Sequence, residues 1–281
     1  RLTKKVFGTG AWASGGNLNQ ARIELTGGGS QTAGIVAGGD VPPGTAETEL
    51  YNGTAWTEVA DLNTARNLIM GAGSQTSFVA AGGFPNSAAS ETWDGSSWSE
   101  ITENSTGRGA TYGVGTTTAG LLYSGTVSGG RTANVESWNG SAWSEVSEIN
   151  TTRNDTTGGG NQTSALLVGG QPGPAVLVES WDGSSWTEIA EVSTQRIGAG
   201  GSGTTNTDVL VFGGEPTTAN TELYNGTSWT ELNNLGTARN ALGGLGNSTN
   251  SALAVGGGSA TTATEEWTVP SSISNVTVAS S

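Results

Sequence analysis

The sequence predicts an all-β fold, a six-bladed β-propeller of four-stranded antiparallel blades, because a hairpin signature recurs along it and no helical period appears. The clearest copy occupies residues 221–231 and reads TELYNGTSWTE. Leu223 and Tyr224 are strand formers, Asn225-Gly226 is a tight turn, and Trp229 opens the return strand. Near-copies of this hairpin occupy residues 49–58, 91–100, 136–145 and 179–188.

The tryptophan of the return strand marks a regular period. These markers are Trp12, Trp56, Trp98, Trp143, Trp186 and Trp229, and they follow one another after 44, 42, 45, 43 and 43 residues. An arginine stands 10 residues after each marker: Arg22, Arg66, Arg108, Arg153, Arg196 and Arg239. A glycine pair follows 16 or 17 residues after the arginine, except in the third period, where it reads Ser124-Gly125. We interpret the arginines and tryptophans as structural repeat positions.

Each period contains four strand patterns, which we name a to d in chain order. In the second period they are residues 67–73, 78–81 and 91–93 and the segment around Trp98. Glycine-rich strand a suits the crowded axis of a propeller, where a Cβ atom would obstruct the backbone. Units of four strands and roughly forty residues are typical of propeller blades. The predicted blades are approximately residues 22–58, 66–100, 108–145, 153–188, 196–231 and 239–267.

The two ends of the chain are predicted to close the ring. The sixth period lacks strand d, whereas Trp12 belongs to a strand d without inner strands. Residues 10–14 should therefore pair beside residues 265–269 and complete the sixth blade. Residues 1–270 then form a single propeller domain. Val6-Phe7 remains as a surplus strand c, and residues 271–281 remain as a tail or an extra strand whose partner the pattern does not assign.

A glutamate of strand c also recurs once in every period: Glu49, Glu91, Glu136, Glu179, Glu222 and Glu265. One arginine and one glutamate per blade indicate paired charges that hold loop backbone by charge-assisted hydrogen bonds. The alternative is a ring of arginines that binds an anion.

The combination of arginine, inner strand, Gly-Gly, aromatic residue and tryptophan resembles the kelch repeat over nearly the whole chain. The segment TELYNGTSWTE, followed by GTAR, is also similar to kelch-like repeats in structural proteins of tailed phages, especially marine ones. The resemblance implies a kelch-type propeller whose repeated arginine is structural, and a location in a virion or outside the cell. The known kelch enzyme, galactose oxidase, needs histidines and a cysteine, and this chain has neither. That copper chemistry is therefore excluded.

Composition removes further classes of function. The net charge is −14 with only 10 Lys and Arg, so a nucleic-acid partner is not expected. No apolar run approaches membrane-spanning length. We expect no enzymatic activity, no metal and no cofactor, since no convergent set of catalytic side chains can be identified.

Length variation concentrates in the loops between strands b and c. From the second glycine of each pair to the strand-c glutamate the distances are 10, 8, 11, 9, 8 and 8 residues. Variable loops on a rigid scaffold are the usual place for recognition. The candidate ligand-binding residues in these loops are Asp40, Pro42, Phe84, Asn86, Arg131, Gln171, Pro172, Glu215 and Asn220.

The sequence therefore predicts a virion-associated or extracellular propeller that recognises a host-surface glycan or protein through its b–c loops. The alternative is a structural or decoration protein whose loops contact neighbouring virion subunits, including further copies of itself within an assembly.

Overall fold

Each sequence repeat forms one four-stranded antiparallel sheet in the computed structural model, which describes residues 2–41 and 44–276. The chain begins with β1 (Leu2–Phe7) and β2 (Ala11–Ser14). Blade 1 comprises β3 (Thr26–Ser30), β4 (Ala33–Ala37), β5 (Thr48–Tyr51) and β6 (Trp56–Glu58). Blade 2 comprises β7 (Met70–Ser74), β8 (Ser77–Ala81), β9 (Ser90–Trp93) and β10 (Trp98–Ile101).

Blade 3 carries an additional short hairpin in its b–c loop. Its strands are β11 (Tyr112–Thr116), β12 (Ala119–Tyr123), the hairpin strands β13 (Thr126–Val127) and β14 (Gly130–Arg131), then β15 (Val135–Trp138) and β16 (Trp143–Val146). Blade 4 comprises β17 (Thr157–Asn161), β18 (Ser164–Val168), β19 (Val178–Trp181) and β20 (Trp186–Glu188). Blade 5 comprises β21 (Gly200–Thr205), β22 (Asp208–Phe212), β23 (Thr221–Tyr224) and β24 (Trp229–Glu231).

Blade 6 is built from both ends of the chain. It contains β25 (Gly243–Leu245), β26 (Ser251–Val255) and β27 (Thr264–Thr268), and β2 pairs with β27 as its outermost strand. Trp12 lies opposite Trp267 in this register, and its Nε1 donates to Thr221 Oγ1 of blade 5 at 3.0 Å. The predicted all-β, six-bladed propeller and its closure by the chain ends are confirmed.

A two-stranded ribbon lies outside the six blades. β1 pairs antiparallel with β28 (Ser271–Val276), so that Leu2 lies opposite Val276 and Phe7 lies opposite Ser271. The repeat pattern had left residues 6–7 as a surplus strand c and the C-terminal segment without a partner. Each is the partner of the other.

The inner strands approach one another closely because glycine lines them. A Cβ atom built on Gly201 would lie 2.0 Å from the carbonyl oxygen of Gly158 in the neighbouring inner strand. Two residues later, Gly203 has φ +153, in the left-handed region that favours glycine. The strand is thus narrow enough to sit beside its neighbours around the axis.

The hydrophobic core consists of clusters between neighbouring blades. Between blades 1 and 2, Ile35 and Leu62 pack against Phe78 and Trp98. The rings of Phe78 and Trp98 meet edge to face with centroids 6.2 Å apart. Burial of these faces fixes each blade against the next. Among the described residues, no helix is long and apolar enough to cross a membrane.

Candidate functional site

A buried ion pair anchors the loops at one end of each blade. In blade 4, Arg153 Nη2 lies 2.6 Å from Glu179 Oε1, and the two side chains are 1% and 2% exposed. Arg153 Nη1 donates to the carbonyl oxygens of Gly169 and Leu177 at 2.9 Å each. The equivalent pairs are Arg22–Glu49, Arg66–Glu91, Arg108–Glu136, Arg196–Glu222 and Arg239–Glu265. These six guanidinium groups face glutamate and backbone rather than solvent.

The same glutamate also holds the connection from the preceding blade. Glu179 Oε2 accepts from the backbone N–H of Asn150 at 2.7 Å and from its side-chain Nδ2 at 2.9 Å. Corresponding bonds to the strand-c glutamates come from Asn19, Asn63, Ser105, Ser193 and Gly236. The b–c loops and d–a connections are therefore fixed to one buried charge pair per blade, and we call the end of the propeller that they form the b–c face.

A ring of six residues surrounds the axial channel at the b–c face. Each stands two positions after the repeated arginine, and each has a left-handed backbone with φ between 51° and 56°. We call them the mouth ring: Glu24, Leu68, Ala110, Asp155, Gly198 and Ala241. Backbone bonds connect neighbouring members; for example, the N–H of Leu68 donates to Glu24 at 3.0 Å, and that of Gly198 donates to Asp155 at 2.9 Å. The backbone is equivalent around the ring, whereas the side chains differ.

The channel encloses a cavity of about 810 Å³ that the inner strands line. Its two ends differ in chemistry. Hydroxyl and amide side chains line the end away from the b–c face: Ser74, Thr116, Asn161, Thr204 and Asn247. The b–c end is bounded by the mouth ring together with Gln171, Glu215 and Asn240. The ionisable side chains that line the cavity are thus concentrated at one mouth.

Three carboxylates at this mouth are oriented by amide donors. Glu24 Oε2 accepts from Asn67 Nδ2 at 2.8 Å. Asp155 Oδ2 accepts from Gln171 Nε2 at 2.9 Å. Glu215 Oε2 accepts from Asn240 Nδ2 at 2.6 Å. Within residues 2–41 and 44–276, none of these three carboxylates forms an ion pair.

Their surroundings raise the pKa of two of these groups. Burial raises the pKa of Glu24, and the charges of Asp40 and Asp155 raise it further. Burial also raises the pKa of Asp155, against the opposing effects of its bond from Gln171 and the positive charge of Arg131. The mouth therefore holds carboxylates that are partly desolvated and that repel one another.

Arg131 stands on the hairpin strand β14 and reaches the mouth through one intermediary. Its Nε donates to Asn154 Oδ1 at 2.7 Å. Asn154 Nδ2 in turn donates to Asp155 Oδ2 and to Thr126 Oγ1, both at 3.1 Å. The extra length of the blade 3 loop therefore places a cation beside the carboxylate of blade 4.

Phe84 begins the b–c loop of blade 2 and is 59% exposed, an unusual exposure for a large apolar side chain. Its backbone N–H donates to the carbonyl oxygen of Asn67 at 2.9 Å, so the start of this loop is bonded to the residue whose side chain orients Glu24. Asp40 occupies the corresponding place in blade 1, where it pairs with Ile23 through the backbone.

The remaining predicted residues lie at different depths of the b–c face. Asn86 is partly exposed with φ 73°, and Pro172 is exposed. Asn220 lies deeper, because its carbonyl oxygen accepts from Arg196 Nη1 at 2.9 Å. Pro42 lies outside the described residues.

The mouth ring itself was missing from the sequence-based candidates. The signal was present in the sequence: two residues after each constant arginine, the residue type changes from acidic to apolar to glycine. Glu24 and Asp155 are the charged members, and alignment of the six repeats on their arginines identifies both.

Comparison with known proteins identifies the fold. No family model matches the chain, and no curated protein matches its sequence. The solved structure of YjhT matches with a TM-score of 0.71 at 13% sequence identity, covering 93% of this chain and 99% of that one. At this level of identity the likeness shows the architecture alone, and the chain is a six-bladed β-propeller similar in fold to YjhT.

Proposed function

We propose that this protein is a kelch-like, non-catalytic recognition module of a virion, which binds a host-surface glycan or protein through its b–c face. The observation that carries the proposal is the mouth ring, where six equivalent backbone positions hold five different residue types. Alanine and glycine fill the same mouth-ring positions in other blades, so closure of the ring does not require carboxylates there.

The side chains available on this face suit recognition. Phe84 offers an exposed ring that can stack on the apolar side of a sugar or on a protein side chain. Arg131 offers guanidinium donors beyond its single bond to Asn154. Both stand on loops whose ends are fixed by buried ion pairs, which keeps the entropy cost of binding low.

The arrangement of the mouth carboxylates supports binding rather than catalysis. Each of the three is held by an amide and belongs to a different blade, and in the described part of the chain none is hydrogen-bonded to a nucleophile–base pair. The sequence supplies no histidine and no cysteine for such a pair. Association with a tailed-phage virion is supported by the hairpin sequence TELYNGTSWTE, which resembles the repeats of phage structural proteins.

A second candidate function is structural, in which the propeller joins neighbouring subunits of a virion or another extracellular assembly. The ribbon of β1 and β28 favours it. Within the described chain each strand of the ribbon pairs only with the other, so each keeps one edge of unpaired backbone groups. Such edges can accept a strand from a neighbouring subunit.

Attachment of the fluorescently labelled protein to candidate host cells tests the proposal. The variant Phe84→Ala/Arg131→Ala should lose attachment, since each interface contact of this kind contributes about 1–3 kcal/mol. Thr227→Ala is the matched control, because Thr227 is exposed on the c–d turn at the opposite end of the blade. Retained attachment of the double variant together with loss in the control would place recognition on the other face and contradict the proposal.

A further inference from the structure

We infer that the channel mouth at the b–c face binds the ammonium group of an amine-bearing sugar. This inference rests on the proposed recognition function and specifies the chemical class of its ligand.

The charges around the mouth are unbalanced. Four carboxylates stand there, those of Glu24, Asp40, Asp155 and Glu215, and the positive charge of Arg131 acts on one of them, Asp155. The six repeated arginines cannot compensate, because each is buried against the glutamate of its own blade. A ligand with a positive charge is therefore favoured at this mouth, and an anionic sugar is disfavoured.

The mouth also offers carboxylate oxygens that accept no hydrogen bond from the described residues. The amide groups of Asn67, Gln171 and Asn240 already donate to the carboxylates of Glu24, Asp155 and Glu215. In the described part of the chain, no protein donor reaches the second oxygen of any of these carboxylates. The oxygens left free on these groups are carboxylate and amide oxygens, which accept, and the free donors are the second N–H of each amide and the guanidinium of Arg131. A ligand that brings donors, as ammonium and hydroxyl groups do, can bond to these oxygens.

The ring geometry leaves space for such a ligand. Glu24 belongs to blade 1 and Asp155 to blade 4, so they stand on opposite sides of the six-membered ring. Between them lie Leu68 and three small members of the mouth ring, namely Ala110, Gly198 and Ala241. The cavity below measures about 810 Å³, within the range of small-molecule sites. On the side of blades 5 and 6, where Gly198 and Ala241 stand, an ammonium group can thus approach both carboxylates without displacing a bulky side chain.

The spread of acceptors favours an amino sugar over the other cations of comparable charge. The described residues contain no group of three Asp or Glu side chains placed to hold a metal ion. A lysine side chain brings three donors at a single point, whereas an amino sugar adds hydroxyl donors around its ring. Phe84, which begins the loop beside Asn67, supplies an exposed aromatic surface for the ring.

Calorimetric titration with matched sugars tests the inference. The probes are glucosamine and galactosamine and the glucosamine tetramer, each compared with its N-acetylated form at mildly acidic pH, where the amines carry a charge. The amines should bind at least about tenfold more tightly than the acetylated forms, and high salt should reduce the difference.

Isosteric variants locate the effect. Glu24→Gln/Asp155→Asn should abolish the preference for amines while the melting temperature shows an intact fold. Glu188→Gln/Glu231→Gln removes the same net charge from exposed outer-strand residues and should keep the preference. If both double variants lose it equally, the attraction is a property of the overall charge and the inference fails.

The remaining outcomes separate this inference from the proposed function. Equal binding of free and acetylated sugars overturns the inference and leaves glycan recognition standing. Binding to none of these sugars also overturns it, while attachment to cells decides the proposed function independently. A lysine-containing peptide that binds more tightly than every amino sugar, and loses binding in Glu24→Gln/Asp155→Asn, overturns it in favour of a protein ligand.

Discussion

Arg153 and Asp155 stand two residues apart in blade 4 and experience opposite surroundings. The guanidinium of Arg153 is buried against Glu179 and two backbone carbonyls. The carboxylate of Asp155 has amide partners but no ion-pair partner among the described residues, and burial raises its pKa. Arg153 has an equivalent in every blade, whereas a carboxylate at the position of Asp155 occurs again only as Glu24.

The difference separates scaffold from site. The arginine that recurs in every blade has an ion-pair partner in the same blade, because the arginine and the glutamate belong to the same repeat. A charge that stands alone in its repeat has no partner built in, so its burial is not compensated. The residues that break the sixfold pattern at the mouth are therefore the ones that a ligand can satisfy.

The largest expected effect comes from breaking the scaffold charge pair. Arg153→Ala leaves Glu179 buried without its cation and removes two bonds to backbone carbonyls, so we expect a loss of about 3 kcal/mol in the free energy of unfolding. Denaturant titration measures it. Arg131→Ala is the comparison, because Arg131 is exposed and should change stability by less than about 1 kcal/mol. Equal losses in the two variants would contradict the division between scaffold and site.

A repeated hydrogen bond between blades provides the second test. Trp98 Nε1 of blade 2 donates to Thr48 Oγ1 of blade 1 at 3.0 Å, and both residues are buried. Thr48→Val keeps the shape but leaves the indole N–H without its acceptor. The expected cost is about 1–2 kcal/mol in unfolding free energy. An unchanged denaturation midpoint would show that the bond orients the Trp98 ring but does not contribute to the free energy of unfolding.

The corresponding junction between blades 3 and 4 lacks this bond, and supplying it should stabilise the protein. Trp186 Nε1 is buried with no hydrogen-bond partner among the described residues, and Val135 occupies the sequence position that Thr48 holds in blade 1. Val135→Thr supplies an acceptor of nearly the same shape, so we expect a gain of up to about 1 kcal/mol. The double variant Val135→Thr/Trp186→Phe should lose that gain. A gain that persists in the double variant would mean that the hydroxyl acts elsewhere.

These junctions also show what could be predicted from the sequence. Blade number, ring closure by Trp12 and the one-to-one recurrence of arginine and glutamate are visible because each repeats at fixed spacing. The ribbon of β1 and β28 was not predictable, since neither strand belongs to a repeat. The mouth ring was not predicted for a different reason. Its members share a left-handed backbone rather than a residue type, and apart from glycine the residue type does not indicate such a backbone angle.

Exceptions to the repeated hydrogen bond between blades could not be predicted from the sequence either. Trp229 occupies the same repeat position as Trp98, yet its Nε1 donates to the carbonyl oxygen of Ala190 at 2.9 Å and its ring is partly exposed. The residue of blade 4 that corresponds to Thr48 is Val178, which offers no acceptor. The missing hydroxyl on blade 4 coincides with a different hydrogen bond of Trp229 on blade 5, whereas the tryptophan of blade 4 stays buried although blade 3 lacks the same hydroxyl.

The smallest expected effect on stability, and the sharpest test of the mouth, concerns pH. Glu24 and Asp155 have pKa values raised in the folded protein, so their contribution to stability is fully present below the pKa of an unfolded carboxyl, about 4. That contribution is lost as the pH rises through the raised values. At neutral pH the wild-type protein therefore carries two charged carboxylates whose burial is only partly compensated, and Glu24→Gln/Asp155→Asn should melt at a higher temperature. The difference should shrink as the pH falls through the carboxyl range.

Because Arg131 opposes the rise in the pKa of Asp155, Arg131→Ala should move the loss of stability to higher pH. Melting curves of the three proteins between neutral and acidic pH measure both effects. A double variant that is less stable than wild type at neutral pH would show that the two carboxylates belong to the scaffold after all, and that the mouth needs no ligand to complete it.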